Sequence, residues 1–249
     1  MKILYFIYHW LIAVPIFLAL TMVTAIVTSL GSLLFSVNFF GYWPPHYWSK
    51  LTCWIFLINV KVVGKENIDK KTSYIFVANH QGAFDIFTIY GFLGHNFKWL
   101  MKKSLENLFM IGTACKSAKH IFVDDTNLRA IKDTITQAED TLKDGMSLVI
   151  FPEGSRSWDG KMIPFKRGAF MLAGEFNKPV VPVTIEGSFD RMSRFAKQVS
   201  PGVITLTIHH PLYPGPKGFN TKQLMAQCRE EIESSLDEKN KGESTGVRN

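Results

Sequence analysis

Tyr74-Ile75-Phe76-Val77-Ala78-Asn79-His80-Gln81-Gly82-Ala83-Phe84-Asp85 reads as a short apolar strand running into a polar loop or helix start. Its last seven residues hold a histidine and an aspartate five positions apart, a spacing at which a carboxylate can orient an imidazole base. The same pair also fits a buried histidine bonded to a loop carbonyl, with Asp85 capping the first turn of a helix. A second block of this form lies downstream, where the strand pattern Met146 to Ile150 leads into Phe151-Pro152-Glu153-Gly154-Ser155-Arg156-Ser157. Two polar blocks, each leaving the end of an apolar strand, can converge on one pocket.

Outward from these blocks the chain alternates strands and helices in the manner of an α/β domain. Strands are expected at Val60 to Val63, Tyr74 to Ala78, His120 to Val123, Met146 to Phe151, Val180 to Ile185 and Val203 to His209, with helices in the gaps. The clearest helix covers Thr126 to Lys143, with Leu128, Ile131, Ile135, Ala138 and Leu142 on one face and Gly145 as its stop. A last helix over Thr221 to Leu236 has Thr221 as its expected cap and Leu224, Cys228, Ile232 and Ser235 inward. These spans give a domain at 60–236, followed by a charged tail at 237–249 that is expected to be disordered.

The amino terminus, residues 1–59, is of another kind. From Ile3 to Ser49 there is no Asp, Glu, Lys or Arg, and about 20 apolar residues suffice to span a bilayer. The segment reads as a membrane anchor, crossing the bilayer or lying in one leaflet as a helical hairpin. Its apolar run is too long for a signal-peptide core. Tyr42, Trp43, Tyr47, Trp48 and Trp54 crowd around Pro44 and Pro45 as in a headgroup-level aromatic belt.

Composition narrows the class further. A chain of 249 residues with 47% hydrophobic content is long enough for one sizeable core. Cys53, Cys115 and Cys228 are odd in number and widely spaced, which supports neither a disulfide framework nor a zinc site; no metal is expected. The net charge of +7 suits anionic lipid headgroups or a polyanionic co-substrate. No nucleic-acid module is recognisable, so a nucleic-acid partner is not expected.

The two polar blocks, together with Val181-Pro182-Val183-Thr184-Ile185-Glu186-Gly187 and Pro164-Phe165-Lys166-Arg167-Gly168, resemble the membrane glycerolipid acyltransferases. The resemblance runs from about Val60 to about Leu212 and is greatest to the bacterial 1-acylglycerol-3-phosphate (lysophosphatidic acid) acyltransferases. The family's His-four residues-Asp motif falls on His80 and Asp85, and its Phe-Pro-Glu-Gly-Thr-Arg motif on Phe151 to Arg156, with Ser155 for threonine. It implies a mixed, mostly parallel sheet flanked by helices, an amino-terminal membrane-anchoring hairpin, and a catalytic domain facing the cytoplasm from the cell membrane. The co-substrate would be acyl-CoA or an acyl carrier protein thioester, with no bound cofactor, and the acceptor a lysophospholipid. Met101-Lys102-Lys103-Ser104-Leu105 is similar to a looser family motif. The chain departs from the pattern at Asp125, where a phosphate-binding arginine is usual, and lacks the usual proline between Leu105 and Gly112. Arg129, one turn on, is a candidate substitute cation.

The residues themselves support acyl transfer. Attack of an alcohol on a thioester needs a base, here His80, and Asp85 to fix its tautomer and stabilise the imidazolium, with the substrate supplying the nucleophile. Small Gly82 would leave space for a substrate beside the base. Arg156 offers a planar fork of donors to a phosphate beside the amides of Gly154 and Ser155. Glu153 would orient this loop or hold a glycerol hydroxyl. Lys102, Lys103 and Lys166 would add positive potential or polarise the carbonyl. The other histidines, His9, His46, His95, His120, His209 and His210, read as interfacial, surface or strand residues. Three alternatives stay open: an acceptor without phosphate such as a lyso-aminolipid, a thioester hydrolase, and a lipid-binding protein without turnover.

Overall fold

The computed structural model describes residues 2–124, 127–215 and 220–242. Its centre is a seven-stranded sheet in the order β1-β7-β6-β2-β5-β3-β4. The strands are β1 Ile58–Val63, β2 Ile75–Ala78, β3 Phe97–Lys102, β4 Ile121–Val123, β5 Ser147–Ile150, β6 Val180–Glu186 and β7 Gly202–Ile208. All neighbours are parallel except β6 and β7. β2 and β5 are fully buried, which is why they read as unbroken apolar runs.

Alternation along β2 divides the core between the two faces of the sheet. Phe76 and Ala78 join Val149, Val181 and Ile204 on one face. Ile75 and Val77 join Leu148, Ile150 and Phe170 on the other. The first face is covered by α4 Trp43–Ile55 and α5 Phe84–Phe92, the second by α7 Leu128–Lys143, α8 Gly168–Glu175 and α10 Thr221–Ser234. Short helices α3 Val37–Phe40, α6 Ile111–Ser117 and α9 Ser188–Met192 complete the domain.

At the amino terminus a continuous helix runs from Lys2 to Leu34, as α1 Lys2–Tyr8, a π-helical turn His9–Ala13, and α2 Val14–Leu34. Pro15 explains the wide turn, because its ring lacks an N–H and crowds the carbonyl one turn back. The outer face exposes Leu4, Leu11, Leu18, Met22, Leu30 and Leu33. The inner face is tied down by Tyr8 Oη donating to the Ile55 carbonyl (2.8 Å) and Trp48 Nε1 donating to Thr21 Oγ1 (3.0 Å).

Several expectations change. β3 was not foreseen, because its sequence carries Lys98 and Lys102 and follows no apolar run. Lys98 is nonetheless buried (3% exposed), and burial beside Lys119 lowers it to about 8. In α7 only Ala138 and Leu142 are buried, while Leu128 is 86% exposed; the edge strand β4 offers just three residues to cover. Asn127 caps α7, accepting from Ala130 N; Thr126, the expected start of this helix, lies like Asp125 outside the described residues. Asn220 rather than Thr221 caps α10. The start of the supposed tail is ordered: a 3-10 turn over Glu238–Asn240 returns Asn240 to the sheet, where Nδ2 donates to Glu186 Oε1 (2.8 Å). Residues 243–249 lie outside the described residues. Five histidines, His9, His46, His95, His120 and His209, are buried rather than interfacial or on the surface. The aromatic belt splits, with Tyr42 turned inward and Trp43, Tyr47 and Trp54 exposed.

Candidate active site

Parallel pairing of β2 with β5, and of β5 with β3, brings three strand ends to one edge of the sheet. Val77 lies opposite Ile150, and Ile150 opposite Leu100, so His80, Glu153 and Lys102 leave the sheet side by side. Open parallel sheets bind ligands at such carboxyl ends.

His80 is held on every side but one. Its Nδ1–H donates to Asp85 Oδ2 at 2.7 Å, which sets the tautomer because an ionised carboxylate only accepts. Its ring stacks on Phe151 at 4.0 Å and 9°, and Phe151 in turn stacks on Trp99. Its backbone N–H donates to Glu153 Oε1 (2.6 Å), and its carbonyl accepts from Ser157 N (2.9 Å). No hydrogen bond to Nε2 occurs among the described residues. That nitrogen is left to act as a base.

Asp85 lies fully buried in the first turn of α5. Besides the imidazole, Oδ2 accepts from Gln81 N (2.7 Å) and Gly82 N (2.9 Å). One oxygen thus ties the imidazole to the loop that precedes α5, while Ala83 at the start of that helix carries no side-chain cap. Gly82 has a structural reason to be small that the sequence did not show. A Cβ there would meet the side chain and carbonyl of Ser188, so glycine is needed to let α9 approach. Asn79, which the sequence left without a role, is buried and exchanges hydrogen bonds with both the N–H and the carbonyl of Ile185. It locks the end of β2 to β6.

Glu153 faces inward, 4% exposed, and holds the loop. Its oxygens accept from His80 N and Ile163 N. Burial pushes the carboxyl up to about 8, aided by Asp85 and opposed by the two amide donors and Arg229. The native state thus holds a proton that the unfolded chain releases near 4.5. Stability from this group is present below about 4.5 and lost as pH rises through about 8. Thermal unfolding should show the midpoint falling with pH over that window in the wild type and a flatter profile in Glu153→Gln; identical profiles would contradict the assignment.

A cleft of about 440 Å³ opens beside Phe151, and Lys102, Lys103, Lys166 and Gly154 line it, with no carboxylate in the lining among the described residues. Lys166 lies across Gly154, whose φ of +72° and close contact with the lysine chain favour glycine. Lys103 is ion-paired to Glu106 (2.8 Å). Arg156 and Ser155 lie outside this lining, on the segment next to the Ser157–His80 bond, and the Arg156 carbonyl accepts from Arg194 Nη2 at 2.7 Å. Arg129 is exposed at the start of α7, and Asp125 is outside the described residues. A larger cleft of about 550 Å³, lined by Lys98, His120 and Asp140, contains none of these residues.

The family model described as Acyltransferase matches residues 59–186, a span that covers more than half the chain and contains the whole imidazole–carboxylate arrangement. The chain belongs to the acyltransferase family. Among similar members, the 1-acyl-sn-glycerol-3-phosphate acyltransferase of Chlamydomonas reinhardtii is 35% identical over 181 residues, 71% of this chain and 53% of that protein. The enzyme of the same name from Saccharomyces cerevisiae is 37% identical over 134 residues, 53% of this chain and 44% of that one. The chain spans about half the length of the curated relatives it matches. The crystal structure of the 1-acyl-sn-glycerophosphate (LPA) acyltransferase PlsC from Thermotoga maritima superposes with a TM-score of 0.70 at 27% identity, covering 90% of this chain and 95% of that one. The mixed, mostly parallel sheet and the apolar amino-terminal helix of this acyltransferase thus recur in a solved structure.

Proposed function

We propose that this acyltransferase moves a fatty acyl chain from a coenzyme A or acyl carrier protein thioester to the free hydroxyl of 1-acylglycerol-3-phosphate, giving phosphatidic acid. The observation that carries the reading is the 2.7 Å bond from His80 Nδ1 to the buried Asp85, on a ring stacked against Phe151, which lines the cationic cleft. His80 Nε2 takes the hydroxyl proton as the acceptor oxygen attacks the thioester carbonyl. Collapse of the tetrahedral species forms the ester, breaks the carbon–sulfur bond and returns the proton to the thiolate. The names of the relatives support the acceptor. So do Lys102, Lys103 and Lys166 in the cleft and Arg156 on the loop beside the base, which suit a phosphate.

The long helix supports a seat in one leaflet. At 1.5 Å per residue it is about 50 Å long, more than the ~30 Å of a hydrocarbon core, yet its inner face is bonded to α4 along the domain. Crossing the bilayer would drag that domain in, whereas lying in the interface buries the exposed apolar face. The catalytic domain then faces the cytoplasm, where acyl thioesters are made.

The test is acyl transfer by purified protein, with lysophosphatidic acid and a phosphate-free lyso-aminolipid as acceptors and each thioester as donor. Label entering phosphatidic acid supports the reading; label entering only the aminolipid, or only free fatty acid, overturns it. In the same assay Arg156→Ala is expected to raise the acceptor KM by the equivalent of about 1.5–3 kcal/mol, the worth of a charge-assisted hydrogen bond. An unchanged KM would leave Arg156 a structural residue.

A further inference from the structure

Two aromatic side chains lie open to solvent beside the Arg156 loop: Trp158 is 61% exposed and Phe195 62%. Their ring centroids are 5.4 Å apart, and the Arg194 guanidinium sits 4.2 Å over the Trp158 ring. Such a stack is poorly served by water and suits a boundary that is apolar below and anionic above. Lys161 and Lys197 on the same two loops, with Arg191 at the end of α9, add positive charge. The carboxylates nearby are engaged: Asp159 Oδ1 accepts from Ser157 Oγ and Lys161 N, and Asp190 is paired with Lys239.

The patch also continues the apolar surface of the amino-terminal helix. The segment carrying Arg194 and Phe195 ends at Val199, whose carbonyl accepts from Tyr5 Oη (3.0 Å) and whose N–H donates to His9 Nε2 (3.2 Å). Phe6 and Trp10 are exposed on the helix at this point.

We propose that Trp158, Arg194 and Phe195 form a second membrane foothold, seated in the headgroup region of an anionic bilayer. Because Arg194 also donates to the Arg156 carbonyl, seating this patch fixes the loop beside the base where a lipid acceptor leaves the bilayer. The first foothold, the helix, fastens the protein to the membrane; the second sets the lip of the active site against the surface.

The test reads Trp158 alone and needs no turnover, so it stands apart from the acyl-transfer assay. Emission of the full chain is compared with that of Trp158→Phe on vesicles of phosphatidylglycerol and phosphatidylcholine carrying bromine at the upper acyl positions. The difference isolates Trp158 from the other tryptophans. The expected result is loss of most of the Trp158 component, and a weaker loss with phosphatidylcholine alone. Phe195→Ser is expected to lessen the quenching of Trp158, since the paired ring no longer holds it at the boundary. A component that keeps its intensity on brominated vesicles and stays open to aqueous iodide overturns the proposal. So does one that ignores vesicles but shifts on adding an acidic carrier protein, which would make the patch a protein-docking surface.

Discussion

His80→Ala lowers the acyl-transfer rate by about 10²–10⁴-fold, the usual worth of a positioned general base, and leaves the protein folded and membrane-bound. The fold should survive because the residue is fastened through its backbone. Its N–H to Glu153 and its carbonyl to Ser157 N do not depend on the side chain, and the ring is partly exposed (14%). What disappears is the Nε2 base, together with the stack on Phe151. Turnover and vesicle flotation measured on one preparation check both halves. Transfer persisting near the wild-type rate would refute His80 as the base.

Asp85 divides into two tests, because a single oxygen serves three donors. In Asp85→Asn the amide oxygen can occupy the place of Oδ2, and the amide nitrogen falls where Oδ1 has no hydrogen-bond partner. The loop should therefore hold, while the imidazolium that forms during transfer loses its counter-charge. The expected rate loss is about 10²–10⁴-fold, with a small change in stability. Asp85→Ala also strands the buried N–H groups of Gln81 and Gly82, at about 1–3 kcal/mol each, so the unfolding midpoint should fall well below that of the asparagine variant. Equal stability of the two variants would mean that the carboxylate does not hold the loop; equal activity of wild type and asparagine variant would remove Asp85 from the mechanism.

Much of this site was legible because its parts are local. β2 and β5 announce themselves as apolar runs, and the polar residues that follow each must then leave the sheet at its end. The pairing of His80 with Asp85 lies within one strand-to-helix turn, so spacing alone brought it within reach. What spacing could not reveal depends on chain far away. Gly82 is small because Ser188 presses against it, Glu153 turns inward because the amides of His80 and Ile163 await it, and Phe151 supports the base only once β5 lies beside β2. β3 was hidden for a related reason: a lysine in the strand signals solvent, yet Lys98 is covered from a segment far away in the chain, its Nζ donating to the Val37 carbonyl. The histidines misled in the same direction. Polar side chains normally mark the surface, but His95, His120 and His209 find hydrogen-bond partners inside.

The bonds from Tyr5 and His9 to Val199 carry a consequence for how the molecule is made. The helix is made before the domain, and the residue that His9 grips follows 190 positions later. At ordinary synthesis rates that interval is about 10–40 s, far longer than a helix takes to form. Throughout it Tyr5 and His9 lack their partner, although α4 can already bond Tyr8 and Thr21, and the outer apolar face has no protein to cover it. On the membrane-seated reading proposed above, the bilayer covers that face in the meantime, a holding surface during birth as well as a workplace afterwards. On that reading the domain is completed against a helix already lying in lipid, and the segment that carries Val199, just ahead of β7, closes the joint.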